Sequence, residues 1–195
     1  MNQMLILSSA YFGPVQYFSR FINQPAIKIE QYDHYIKQTY RNRCIIGSAA
    51  GPLTLSVPVK RKRGKKTLVK DVRVDYDTNW RKIHLLGIIS CYNSSPYFEY
   101  LRDDIEPFFY KKYNFLIDMN MEITRKMLEC TGIDCRAELS SHYEPYESSS
   151  GIADYREIIH PKINMEEDEC FLPIPYTQVF SNETGFLPNL SILDL

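Results

Sequence analysis

The sequence predicts an α/β (or α+β) fold: a mixed sheet with an antiparallel hairpin portion, packed by three central helices. Three observations carry this. Residues 4–8, MLILS, are a short unbroken apolar run of the kind a strand buried on both faces requires. A helix-spaced set follows, Val15, Phe18, Phe21 and Ile22, and then a second strand over 26–30. Two further apolar runs, 44–48 and 53–58, flank Ala49-Ala50-Gly51-Pro52, a hairpin signal, and residues 79–132 carry three stretches of helical periodicity.

Taken in order, Pro14 suits a first helical position and Pro25 closes the first helix before the strand at 26–30. Strand, turn, helix, strand is the opening of an α/β unit, and it places Tyr11 in the loop that faces the ligand crevice. Residues 31–43 form a polar, aromatic segment leading into the hairpin. The basic block KRKRGKK, residues 60–66, has the composition of an exposed hairpin tip, and 68–76 alternates like a half-buried antiparallel strand. In the helix over 79–92, Trp80, His84, Ile88 and Tyr92 recur every four residues. Ile83, Leu86 and Ile89 fill neighbouring turns and are expected to pack on the sheet. Thr78 or Asn79 can cap this helix, and Asn93-Ser94-Ser95-Pro96 can end it. A second helix starts at Pro96, with Pro107 as a bend or restart. A third, capped by Asn114, buries Leu116, Met119, Ile123 and Met127 and stops at Gly132. Beyond it are expected a strand over 133–143, a loop over 144–151, one or two helical turns over 153–159 and an acidic linker to residue 169. The whole chain, 1–195, reads as one domain whose segment 161–195 is extended by Pro173, Pro175 and Pro188.

Composition narrows the function classes. Apolar content of 44% and charged content of 24% are those of a globular protein, and a net charge of −1 provides no global field towards nucleic acid or an anionic membrane. No apolar run is long enough to span a bilayer. Five cysteines without a CxxC pair point to reduced thiols in the cytoplasm, and four scattered histidines without HExxH spacing predict no metal site. No GxGxxG, Walker or HxGH-type phosphate loop is present, so no motif identifies a cofactor.

The chemistry-bearing residues fall in three places. Arg41, Asn42 and Arg43 could hold a phosphate or carboxylate through forked donors, with Tyr40 stacking on a ring; a solvated loop with two ordinary arginines has the same appearance. Arg81 and Lys82 lie in the first turns of a helix, where the dipole favours anions, with His84 one turn on. Packing alone also accounts for a histidine between Trp80 and Ile88. Tyr11 stands at the crevice. Because the helix over 79–92 packs on the sheet that begins after Arg43, residues 41–43 and the Trp80–His84 turn are expected to converge on one anion-binding cleft, with His84 titrating near neutrality.

Six motifs in order, YFGPVQYF (11–18), YRNR (40–43), LTLSVPV (53–59), WRKIH (80–84), YNSSPYF (92–98) and GFLPNLSILDL (185–195), resemble the WbqC-like protein family of bacteria, whose genes often lie in surface-polysaccharide clusters. The resemblance spans nearly the whole chain. It departs from the family at Arg43-Cys44, where a second asparagine is more typical, and at the end, since family members usually continue past SILDL; the C-terminal element is therefore expected to be incomplete. Arg41, Asn42, Trp80, Lys82, His84, Tyr92, Pro96 and Tyr97 fall at motif positions. The gene context that accompanies the resemblance implies an enzymatic role in assembling or decorating a glycan, and the enzyme reading taken here is group transfer to a phosphorylated or nucleotide-linked sugar. In that reading Arg41, Arg43 and Lys82 hold phosphate charge, His84 is acid or base, and Tyr11, Trp80 or Tyr97 stacks on a ring. The alternative is a noncatalytic module that recognises a glycan precursor or a partner protein through its tyrosine-rich face.

Overall fold

The computed structural model describes residues 4–60, 66–145 and 151–195. Its centre is a four-stranded, wholly parallel sheet in the order β7-β2-β1-β8, from β1 (Met4–Ser8), β2 (Ala26–Glu30), β7 (Arg136–Leu139) and β8 (Ile152–Asp154). Leu5, Ile6 and Leu7 are buried in succession, as a strand covered on both faces requires. Helix α1 (Val15–Ser19) links β1 to β2 and buries Tyr17 and Phe18. Gly13, just before it, has no room for a side chain: a Cβ there would lie 2.9 Å from the Tyr17 ring and 3.0 Å from the Ala10 methyl.

The α/β class and the antiparallel hairpin stand as predicted, but the strands divide differently. β3 (Arg43–Ser48) and β4 (Gly51–Ser56) pair with each other as a separate two-stranded sheet, and β5 (Val59–Lys60) pairs only with β6 (Arg73–Val74). The alternating stretch at 68–76 is not one strand. It is a single 3₁₀ turn, Val69–Asp71, followed by the two residues of β6. The amides of Val69 and Lys70 are taken by the carbonyls of Asp33 and Gln31, so the turn is pinned to the preceding loop rather than to a ladder. Of the one or two helical turns expected at 153–159, the first residues belong to β8, at the edge of the parallel sheet, and a single turn follows in which Ile159 N–H donates to Tyr155 O.

Helix α2 (Trp80–Tyr92) buries Trp80, His84, Ile88, Cys91 and Tyr92. It lies against the β3–β4 hairpin, where the Leu55 side chain approaches Gly87. Ile83 and Leu86 do not pack on a sheet; they are 64% and 52% exposed. The four-residue recurrence already completes the buried stripe, and residues 83 and 86 fall outside its arc. Asn79 precedes α2 without a side-chain capping bond. The chain then forms α3 (Phe98–Ile105), restarts at Pro107 as α4 (Pro107–Tyr110), and enters α5 (Leu116–Cys130). The residue before α5 is Phe115, not Asn114, whose carbonyl accepts from the Val74 amide instead. Gly132, at φ 66°, ends that helix as expected.

The segment after β8 returns across the molecule through a short helix, α6 (Ser181–Thr184), and lays residues 189–194 beside residues 12–16. Val15 N–H donates to Leu190 O, Ile192 N–H to Gly13 O, and Ser191 Oγ to Phe12 O at 2.8 Å, while Gln16 and Asn189 exchange two hydrogen bonds. Asp194 accepts from Tyr92, Tyr176 and Gln178, which ties the end of α2 to this segment.

Candidate functional site

In a parallel sheet the strands' carboxyl ends leave a crevice between the departing loops. Here Ser8, Ser9 and Ala10 leave β1 and Tyr155 and Arg156 leave β8, while Thr39, Tyr40 and Arg41 arrive from the loop before β3. With Tyr17, Ile159 and His160 they enclose a cavity of about 10 Å³, room for a single water. A wider cleft of about 410 Å³ adjoins it across Arg156, lined by Asp33, Ile36, Tyr143, Asp154, Glu157 and Ile158.

Arg41 dominates the inner cavity. Its side chain is 3% exposed, its Nη2 is 3.4 Å from Asp33 Oδ2, and its Nε has no partner. Burial disfavours its charge, opposed by Asp33 and Glu157. A buried guanidinium with an unmade N–H and one long ion pair is costly, and a polar guest in the cavity, which as it stands holds one water, would relieve it. The Asn120 amide fixes the floor by donating to Arg41 O at 2.7 Å and Ser9 Oγ at 3.2 Å. Arg156, by contrast, is committed. It forks onto Asp154, with Nε 3.0 and 2.9 Å from the two carboxylate oxygens, and reaches Glu30 at 3.4 Å. His160 is held with Nδ1 accepting from the Lys162 amide at 3.0 Å, so the neutral ring carries its hydrogen on Nε2. Burial, together with Lys162, Arg41 and Arg43, holds its pKa below the usual histidine value.

Tyr11, expected at the crevice, instead meets His84 inside the core. Tyr11 is 1% exposed, and its hydroxyl is 2.9 Å from His84 Nδ1. Burial raises the phenol's pKa well above its ordinary value, so the hydroxyl is the donor and the Nε2–H of His84 is left for the Ser56 backbone. Both ring nitrogens are thereby used. Burial lowers the His84 pKa to about 4, in place of the near-neutral titration expected. The Trp80 ring contacts Tyr11, Tyr76 and His84, and its indole N–H donates to Asp75 O.

The remaining residues separate. Tyr40 joins Arg41 in the cavity wall, with burial raising its pKa to about 12. Asn42 donates to Val57 O and accepts the Val57 amide on its backbone, which anchors the hairpin. Arg43 begins β3 close enough to His160 to act on its charge. Tyr92 is buried between Gly47 and Asp194. Lys82 lies two residues from His84 on α2, hence on another face, and lines a different cleft of about 510 Å³ with Asn79, Arg81, Leu85, Arg102 and Tyr110. That cleft and the Arg41 cavity share no lining residue, so among the described residues Arg41 and Lys82 border different openings. Tyr97 is 78% exposed at the head of α3. Of the KRKRGKK block, residues 61–65 lie outside the described residues.

Sequence reasoning missed Asp33, Asn120, Arg156, Glu157 and His160. Their only signal is topological: β8 reads as too short and too polar to be a strand, and its carboxyl end supplies three of the five. Among the described residues no group of three His, Cys, Asp or Glu side chains is placed to hold a metal, and no helix is long and apolar enough to cross a membrane. Comparison with known proteins returns a match to the family model described as the WbqC-like protein family, over residues 9–166. Neither the curated proteins nor the solved structures provide a match.

Proposed function

The chain belongs to the WbqC-like protein family, and on that footing we propose that it binds a phosphorylated or nucleotide-linked sugar at the carboxyl-end crevice and uses it in group transfer during surface-polysaccharide synthesis. The observation that supports this reading is Arg41: a buried guanidinium with an unpartnered Nε, lining a cavity at the strand ends where α/β folds take ligands. Phosphate is the chemically fitting counterpart, since forked N–H donors match its oxygens and its charge offsets the buried cation, and the cavity, sized for one water, must widen to admit it. Tyr40 walls the same cavity, and Arg43 adds positive charge beside His160. Tyr11 and His84 act behind this wall as positioning residues, because the Tyr11 amide donates to Tyr40 O at 2.9 Å. Lys82 and Tyr97 stand outside the crevice and take no part in it.

One observation favours a noncatalytic binding module as the second reading: the Tyr11–His84 pair is enclosed, with both imidazole nitrogens already occupied. Thermal-shift titration with nucleotides, sugar nucleotides, sugar phosphates and acyl or aminoacyl donors tests both. A ligand at a hundred times its dissociation constant adds ~2.7 kcal/mol, which for a chain of this size raises Tm by roughly 5–10 °C. Arg41→Gln and Arg41→Lys variants that still fold should lose most of that shift. A shift that is undiminished in both would remove the anion site, and incubation of the bound ligand without turnover would leave binding alone.

A further inference from the structure

One side of α2 lies in the core and the other is open. Its groove with α3 and α4, about 510 Å³ in volume, is walled by Leu85, Leu86, Ile89 and Tyr110, of which Leu86 and Tyr110 are 52% and 67% exposed. Arg81, Lys82 and Arg102 stand along it, with Glu106 as the only carboxylate among its described lining residues. Arg102 engages Glu106, whereas Arg81 gives a donor to the Tyr110 carbonyl and lies over the Tyr76 ring without meeting a carboxylate. Lys82 makes no ion pair among the described residues. The groove is therefore apolar along its wall and carries positive charge that nothing described compensates.

The same chain presents the complement elsewhere. Glu166, Glu167 and Glu169 are exposed and meet no cation among the described residues, and Leu172 and Ile174 follow at 81% and 75% exposure, the two most exposed aliphatic side chains of the described residues. Each of the two precedes a proline, Pro173 or Pro175, which holds the backbone extended. Both ends of the stretch are fastened to the body of the chain: Asp168 to Arg20 and Gln16, and Tyr176 and Gln178 to Asp194. It stands as an acidic and apolar ridge, and it does not line its own chain's groove. We propose that the groove is filled by a second copy of this chain, whose ridge lays Leu172 and Ile174 against Leu86, Ile89 and Tyr110 and brings Glu167 and Glu169 to Arg81 and Lys82. Apolar surface leaves water on both sides of this contact, and the opposite charges fix its register. The net charge of −1 sets little general repulsion between copies. Repeated about a twofold axis, the contact lets each copy give one ridge and receive one, which closes the assembly as a dimer. The groove shares no lining residue with the Arg41 cavity, so the dimer stands independently of what that cavity binds.

Sedimentation equilibrium of the full chain over a concentration series reads the contact directly. The mass should climb from 22.9 kDa towards twice that value, and added salt should move the transition to higher concentration as the charges are screened. Two double variants, Arg81→Glu/Lys82→Glu and Glu167→Lys/Glu169→Lys, each set like charges against one another across the contact, and each alone should weaken association by about tenfold or more. Mixed in equal amounts they should associate again, because every ridge then meets a groove of opposite charge. Leu172→Ser/Ile174→Ser, altered at two open side chains, should weaken association without any change of charge. Thermal unfolding that matches the native chain's shows that each variant is folded. A native chain that stays at 22.9 kDa throughout overturns the dimer and leaves the groove to an acidic partner of another kind. Association that survives the charge reversals, or that mixing the folded variants fails to restore, places the interface elsewhere and overturns it equally.

Discussion

His84 makes the fold acid-sensitive in a way that can be isolated. The unfolded imidazole takes a proton with a pKa near 6.5, whereas in the native protein burial holds it at about 4. Above pH 7 the ring is neutral in both states and costs nothing. As pH falls below about 6.5 the unfolded chain gains a proton that the native chain refuses, so native stability declines until pH 4, below which both states are protonated and the loss is complete. The gap between the two pKa values corresponds to about 3 kcal/mol, and about 2 kcal/mol of it falls between pH 7.5 and pH 5. With 4% of the residue exposed, solvent screening does little to reduce this. Urea unfolding followed through Trp80, the sole tryptophan, should show the native chain losing about 2 kcal/mol more over that interval than a His84→Gln variant, since all other titrating groups are common to both. The glutamine retains a hydrogen-bonding group beside Tyr11 but cannot take up a proton. Parallel pH profiles for the two proteins would refute the reasoning and mean that His84 titrates freely.

Two further outcomes follow from the described packing. Arg156→Ala strips Asp154 of its forked partner and Glu30 of one of several donors; because Glu30 keeps the Tyr32 amide, the Ser140 hydroxyl and the Glu144 amide, the loss in urea unfolding should be about 3 kcal/mol, the lower end for a broken buried pair. Thiol titration should find Cys130 and Cys170, both exposed, reactive in the folded protein, and Cys44 and Cys91 silent until unfolding, when all five react.

Much of the architecture was legible because it is local. Met4–Ser8, the hairpin at Ala49–Ala50 and the restart at Pro107 are each written in fewer than ten residues and appear where those residues place them, although Gly51 and Pro52 already belong to β4 and α1 stops at Ser19, short of Phe21 and Ile22. What sequence periodicity could not show was which strands share a sheet. β8 has three residues and adds no apolar run, and it is a strand only because the free edge of β1 accepts it. The same gap explains the site. Tyr11, Tyr40 and Arg41 were found because they flank readable elements, whereas Arg156, Glu157 and His160 reach the crevice only through β8. The amphipathic pattern of α2 also gave the wrong partner for His84. A histidine on the buried stripe joins the core, and the two-residue offset to Lys82 turns that cation away from it.

The laying of residues 189–194 across residues 12–16 carries a consequence for biosynthesis. Hydrogen bonds such as Ser191 to Phe12 join positions 179 apart, so the turn that carries Gly13 and the start of α1 stays uncovered until residues 189–194 have left the ribosome. During that interval Phe12, Phe18 and their neighbours are surface that a chaperone can hold and a protease can find. The matched family region ends at residue 166, ahead of the segment that closes this turn. An expression boundary drawn at residue 166 would therefore release the chain before its opening helix is sealed.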